Sequence, residues 1–115
     1  MGYATRLEGT LFLHPFPEGH VVTALREALA AFASPNAGRL ALTPLGHGLT
    51  LEDTFDWTAG VEVIERARET VFVPRGIAIA GTLRAIGEDD AHLATITIGD
   101  GAARVEQHED ANDDA

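Results

Sequence analysis

The spacing of apolar residues changes several times along this 115-residue chain, and the order of those changes limits the folds it can adopt. Residues 6–13 alternate apolar and polar side chains, which is typical of a strand with one buried face, and Pro15 and Pro17 end it. Residues 19–33 follow a helical spacing instead, with apolar positions at Val22, Leu25, Leu29 and Phe32. The breaker-rich residues 34–38 end this predicted helix.

A second helix is predicted from Trp57 onward. Asp53 or Asp56 can serve as its N-cap, because a side-chain oxygen at that position accepts a hydrogen bond from a free backbone N–H. Its apolar stripe continues at Val61, Ile64 and Val71. Pro74 and Gly76 end the element.

The remaining apolar segments have the lengths and spacing of strands. They are residues 39–43, 48–52, 77–85, 93–98 and 102–106. The first two are joined by Pro44-Leu45-Gly46-His47, which favours a hairpin, and Gly99-Asp100-Gly101 favours a second hairpin near the end of the chain.

The order strand, helix, strand, strand, helix, strand is the split βαβ or ferredoxin-like pattern. We therefore expect an α+β, ferredoxin-like two-layer sandwich (βαββαβ plus a C-terminal hairpin strand), in which two helices cover one face of an antiparallel sheet. The other face would be open to water or to a partner. Residues 1–106 form the single predicted domain, and residues 107–115 form a predicted disordered acidic tail, since they have almost no apolar residues.

The charge is unevenly distributed along the chain. There are 18 acidic residues, eight Arg and no Lys, which gives a net charge of −10. The last ten residues contain no base and hold Glu106, Glu109, Asp110, Asp113 and Asp114. Because nucleic-acid binding depends on clustered bases that neutralise phosphates, we expect no direct nucleic-acid partner.

The absence of Cys excludes disulfides and thiol chemistry for these 115 residues. No apolar run approaches the ~20 residues of a membrane span, and the early residues lack a signal-peptide core. We therefore expect a cytoplasmic protein with no membrane partner.

Two acidic clusters are the predicted partner-binding residues: Glu52, Asp53 and Asp56 near His47, and Glu88, Asp89 and Asp90 near His92. Carboxylates beside a His could hold a metal ion or act as acid and base. N-capping explains the first cluster, however, and a solvated hairpin turn explains the second. The five His show no metal-ligand spacing and Ser34 lacks a nucleophile motif, so we predict no catalytic, cofactor-binding or metal-binding residue.

The opening residues Met1-Gly2-Tyr3-Ala4-Thr5-Arg6-Leu7-Glu8-Gly9 resemble the start of small uncharacterised actinobacterial and actinophage proteins that begin MGYxTR. Residues 81–106 are similar to their ending, in which a strand leads to an acidic turn, a strand, a D-G hairpin and a final strand. The chain departs from that pattern at Leu93-Ala94-Thr95. The resemblance implies a fold and a phage or actinobacterial origin, but no activity.

These observations favour a small acidic non-enzymatic interaction protein, encoded by or derived from a phage, that binds a basic surface on a host protein. One alternative is a DNA mimic that inhibits a nucleic-acid-binding enzyme. Another is a small enzyme or ligand-binding domain that uses the open sheet face, with Asp53, Asp56 and His47 as its chemistry. A homodimer formed through the open sheet faces is also compatible with the sequence.

Overall fold

The computed structural model of this chain describes residues 5–32, 38–52, 56–87, 91–99 and 103–107. Within these residues the protein has one antiparallel sheet of seven strands and two α-helices. This arrangement confirms the predicted α+β class and the antiparallel sheet. None of the described helices is long and apolar enough to cross a membrane.

The sheet takes its strands from the whole length of the chain. They are β1 (Arg6–Glu8), β2 (Leu11–His14), β3 (Arg39–Leu42), β4 (Gly48–Glu52), β5 (Ala78–Ile86), β6 (His92–Ile98) and β7 (Arg104–Gln107). Across the sheet they follow the order β3-β4-β2-β5-β6-β7, and β1 also pairs with β5. Both predicted hairpins are present as pairings, β3 with β4 and β6 with β7.

The single strand predicted over residues 6–13 is divided at Gly9. β1 and β2 keep one register against β5, in which Leu7 faces Ala85 and the pairing resumes at Leu11. Gly9 has a φ of 130°, and a Cβ at this position would lie 2.7 Å from the carbonyl oxygen of Thr82. The break therefore follows from a backbone conformation and a close approach that favour glycine.

The first helix, α1, spans Gly19–Ala30 and is shorter than predicted. Ala31 and Phe32 form a turn, in which the N–H of Phe32 donates to the carbonyl of Leu29 at 2.9 Å, and residues 33–37 lie outside the described residues.

The second helix, α2, spans Trp57–Ala67. Its N-cap is Asp56, one of the two residues predicted for that position. A π-helical turn over Arg68–Phe72 and a 3-10 turn over Val73–Arg75 extend it. Gly76, with a φ of 73°, ends the element where the sequence predicted.

One face of the sheet and the inner sides of both helices form a single core. Its most deeply buried side chains include Leu11, Leu13, Leu25, Leu29, Ile64, Phe72, Ile79, Leu83, Ile96 and Ile98. The alternate residues of the strands point to the opposite face of the sheet, which the described helices leave uncovered.

Candidate functional site

The side of the sheet that the described helices leave uncovered is here called the open face. Its outward side chains include Glu8, Phe12, Glu52, Thr82, Arg84 and Thr97. Antiparallel register aligns them into rows that run across the strands, because residues opposite one another point to the same side. Thr82 faces Thr97 in one such row. Glu8 faces Arg84 in the neighbouring row, two residues further along β5.

Ion pairs occupy the row of the open face that contains Glu8. Its carboxylate lies 3.4 Å from Nη2 of Arg84 and 2.7 Å from Nε of Arg6. On the neighbouring hairpin, Oε1 of Glu52 lies 3.2 Å from Nη2 of Arg39. These groups are solvent-exposed, so each pair contributes only about 0–1 kcal/mol to folding stability.

Several strands begin or finish at the same end of the sheet, which we call the acidic end. It is where β4 finishes with Glu52, β5 finishes with Ile86, β6 starts with His92 and β7 finishes with Gln107. Residues near this end are aligned across β5, β6 and β7, because Arg84 faces Thr95 and Thr95 faces Glu106.

The predicted cluster Glu88, Asp89 and Asp90 lies outside the described residues, but the structure describes the residues on either side of it. The N–H of Gly87 donates to the carbonyl of Ala91 at 2.8 Å. One ring nitrogen of His92, Nε2, lies 3.1 Å from the carbonyl oxygen of Ala94 and 3.2 Å from Oγ1 of Thr95. The cluster therefore follows β5 and precedes β6 at the acidic end.

The other predicted cluster divides into different structural roles. Glu52 faces Arg39 on the open face, whereas Oδ1 of Asp56 accepts hydrogen bonds from the backbone N–H of Thr58 at 3.1 Å and from its hydroxyl at 2.8 Å. Asp53 lies outside the described residues. The Asp56 carboxylate is therefore engaged in helix capping.

His47 is far from Glu52 in the structure, although the sequence places them five residues apart. His47 immediately precedes β4 and Glu52 is its last residue, so their backbones are separated by five residues of extended chain, or roughly 16 Å. No group of three or more metal-ligating side chains occurs among the described residues.

The acidic residues are divided between the described residues and four short segments outside them. The described residues contain nine acids and all eight Arg, which gives them a net charge of −1. The other nine acids belong to residues 53–55, 88–90, 100–102 and 108–115. Eight of these nine are in the three segments that attach to the acidic end, because only residues 100–102 connect strands at the opposite end.

An aromatic cluster occupies the end of the open face opposite the acidic end. The ring of Phe16 stacks on His47 with centroids 4.2 Å apart and an interplanar angle of 9°, and the centroid of His14 lies 6.2 Å from that of Phe16. Phe16 is 55% exposed, and Phe12, two residues before His14 on the same face of β2, is 49% exposed. Sequence reasoning missed this cluster, although the alternation of Phe12, His14 and Phe16 was a signal that could have found it.

The backbone fixes the position of this aromatic cluster. The N–H of Leu13 in β2 donates to the carbonyl of His47 at 3.0 Å, and the N–H of Thr43 donates to the carbonyl of Gly48 at 2.9 Å. The β3–β4 turn is thereby held against β2, which brings His47 next to Phe16.

Two clefts of about 290 Å³ are lined by apolar side chains and Arg. In the first, between α1 and β3, the guanidinium of Arg26 donates to the carbonyls of Leu42, Thr43 and Pro44 at 3.1–3.2 Å. The second lies beside β5 and includes Arg68, whose Nε is buried without a hydrogen-bond partner among the described residues.

No model of a known protein family, no curated protein and no solved structure matches this chain.

Proposed function

We propose that this chain is a small non-enzymatic interaction protein whose acidic end binds a basic surface on a host protein. The observation that carries the proposal is the separation of charge. The described body is almost neutral, and eight acids belong to segments attached to one end of the sheet.

Localised charge is well suited to this role. Exposed charges act over a Debye length of about 8 Å at physiological ionic strength, so a basic partner would be attracted to the acidic end and not to the body as a whole. Such steering mainly raises the association rate and orients the encounter. Glu52 belongs to the same surface, beside Arg39. Asp53, Glu88, Asp89 and Asp90 belong to the attached segments, and Asp56, the sixth predicted partner-binding residue, caps α2.

The finer fold assignment, ferredoxin-like, is also a proposal. β2 and β3 are joined through α1 but separated in the sheet by β4, and β4 and β5 are joined through α2 but separated by β2. Two interlocked split βαβ units of this kind support the assignment. β6 and β7 then extend the sheet beyond β5.

The other functions considered from the sequence have less support. A DNA mimic needs a line of unpaired carboxylates, whereas Glu8 and Glu52 lie beside Arg on the open face. The enzyme hypothesis needs His47 close to Asp56, and these residues lie at opposite ends of β4, with Asp56 capping α2.

The proposal is tested with two variants of equal charge. The triple substitution E88Q, D89N, D90N removes three of the eight acids in the segments attached to the acidic end, and E27Q, E62Q, E69Q neutralises three exposed helix carboxylates. Tagged chains of each kind are incubated with lysate of the cells that produce the protein, at low and at high salt. Retained proteins are then quantified by mass spectrometry.

We expect a specific protein with a basic surface to be retained by the unaltered chain and by the helix variant. It should be lost from the acidic-end variant, and high salt should release it. Equal retention by both variants, or retention that salt does not affect, would contradict the proposal.

A further inference from the structure

The last strand of the sheet, β7, has an edge that pairs with no other strand among the described residues. β7 pairs with β6 on one side and is the terminal strand of the described sheet on the other. All four of its residues are exposed, and Val105 is 42% exposed. The opposite edge differs, because the guanidinium of Arg26 on α1 donates to the carbonyl of Leu42 in β3. An uncovered edge strand offers free backbone N–H and C=O groups to another strand.

We propose that β7 pairs with β7 of a second copy of this chain, in antiparallel orientation, with Val105 opposite Val105 of the second copy. This pairing would make one sheet continuous through both copies. It goes beyond the proposed function, because it uses the backbone edge of β7 and not the acidic segments on which that function rests.

The sequence of β7 is self-complementary in this register. When Val105 lies on the two-fold axis, Arg104 lies opposite Glu106 of the second copy, and Glu106 lies opposite its Arg104. Two cross-strand pairs of opposite charge result, and such pairs stabilise neighbouring strands. A parallel pairing would instead place Arg104 beside Arg104 and Glu106 beside Glu106, which is unfavourable.

The orientation of the side chains agrees with this register. Arg104 faces the exposed Thr97, and Glu106 faces Thr95, so both charged side chains lie on the open face. Val105 faces the buried Ile96 and therefore lies on the helix side. A two-fold axis perpendicular to the sheet keeps each side chain on its own face, so the charges meet on one side and the two Val105 side chains meet on the other.

Both charged groups are available for a second copy. The side chains of Arg104 and Glu106 form no ion pair or hydrogen bond with any residue that the structure describes. The strand itself is held in place at its start, because the backbone N–H of Ala103 donates to a carboxylate oxygen of Glu65 on α2 at 2.6 Å.

A four-residue strand buries little surface, so the proposed dimer should be weak and is best detected by a covalent trap. The chain has no Cys, so Val105→Cys introduces its only thiol. Directly opposed residues of antiparallel strands have Cα atoms about 4.5–5.5 Å apart, a separation that a disulfide spans. Ala24→Cys, on the exposed side of α1, is the matched control.

We expect Val105→Cys to form disulfide-linked dimers at least about tenfold faster than Ala24→Cys under mild oxidation at the same protein concentration, because the proposed pairing holds the two thiols opposite one another. Equal rates for the two variants would overturn the proposal. Cross-linking of Val105→Cys to a different protein in lysate, in preference to its own copy, would also overturn it.

Charge exchange tests the register. In the Val105→Cys background, Arg104→Glu alone and Glu106→Arg alone each turn two attractive pairs into two repulsive ones, so dimer trapping should fall about tenfold. An equimolar mixture of these two variants restores both attractive pairs, and so does the double exchange in one chain. Recovery in both cases supports the proposed register, and failure of either to recover contradicts it. Circular dichroism checks that every variant is folded.

Discussion

The carboxylate of Glu65 on α2 accepts a hydrogen bond of 2.6 Å from the backbone N–H of Ala103, the residue that precedes β7. The two residues are 38 positions apart in the sequence. This bond connects the helix layer to the outermost strand of the sheet, whose own four residues are all exposed. It therefore stabilises the one strand that contributes least to the core.

Replacing Glu65 with Ala should lower the free energy of unfolding by about 1.5 kcal/mol, the lower end of the range for a hydrogen bond to a charged group. Amide exchange at residues 104–107 should accelerate more than exchange in β5, because the loss is local to β7. Urea denaturation and hydrogen exchange measure the two effects. Glu69→Ala, at an exposed position on the same helical segment, is the control and should change neither quantity appreciably.

Asp56→Ala should cost about 1 kcal/mol of folding stability, because it removes the side-chain oxygen that caps α2. Asp56→Asn should retain most of the stability, since the Asn side-chain oxygen can accept the same hydrogen bond from Thr58. Glu18 offers a matched comparison, because it occupies the N-cap of α1 without a capping hydrogen bond from its side chain. Thermal or urea unfolding of the three variants provides the measurement, and an equal loss for Glu18→Ala would contradict this explanation.

Leu29→Ala and Ile64→Ala should each destabilise the protein by about 2–5 kcal/mol. Both side chains are almost completely buried in the core, and each is on a different helix. Leu45→Ala is the comparison of similar chemistry, since Leu45 is 75% exposed and its truncation should cost less than about 0.5 kcal/mol. Chemical denaturation measures the free energy of unfolding of each variant. A negligible loss of stability for either buried residue would mean that its helix packs differently.

Gly9→Ala should destabilise the fold by about 2 kcal/mol or more. The substitution adds a Cβ that would lie 2.7 Å from the carbonyl oxygen of Thr82, at a φ of 130° that side chains rarely adopt. Gly19→Ala is the control, because Gly19 begins α1 with nothing within 4 Å of the added Cβ and should be neutral or slightly stabilising. If the two substitutions have the same effect on the unfolding midpoint, the close approach at Gly9 has been assigned wrongly.

The sequence by itself determined the types of the elements. The alternation in residues 77–85 predicted the strand observed at Ala78–Ile86, and the helical spacing through Leu25 and Leu29 predicted α1. Asp56 and Gly76 marked the start and the end of the second helical segment correctly. These features could be predicted because the period of buried side chains, capping and glycine turns are set by residues a few positions apart.

Only the tertiary structure decided which distant residues meet. The break at Gly9 depends on Thr82 of another strand, and the π-helical turn that buries Phe72 beside Val71 was not visible in the helical spacing. Of the predicted acidic residues, Glu52 lies beside Arg39 and Asp56 caps a helix, whereas the stacking of Phe16 on His47 was not predicted at all. The physical reason is register, because sheet pairing chooses the neighbours of every outward side chain from strands that can be far apart in sequence.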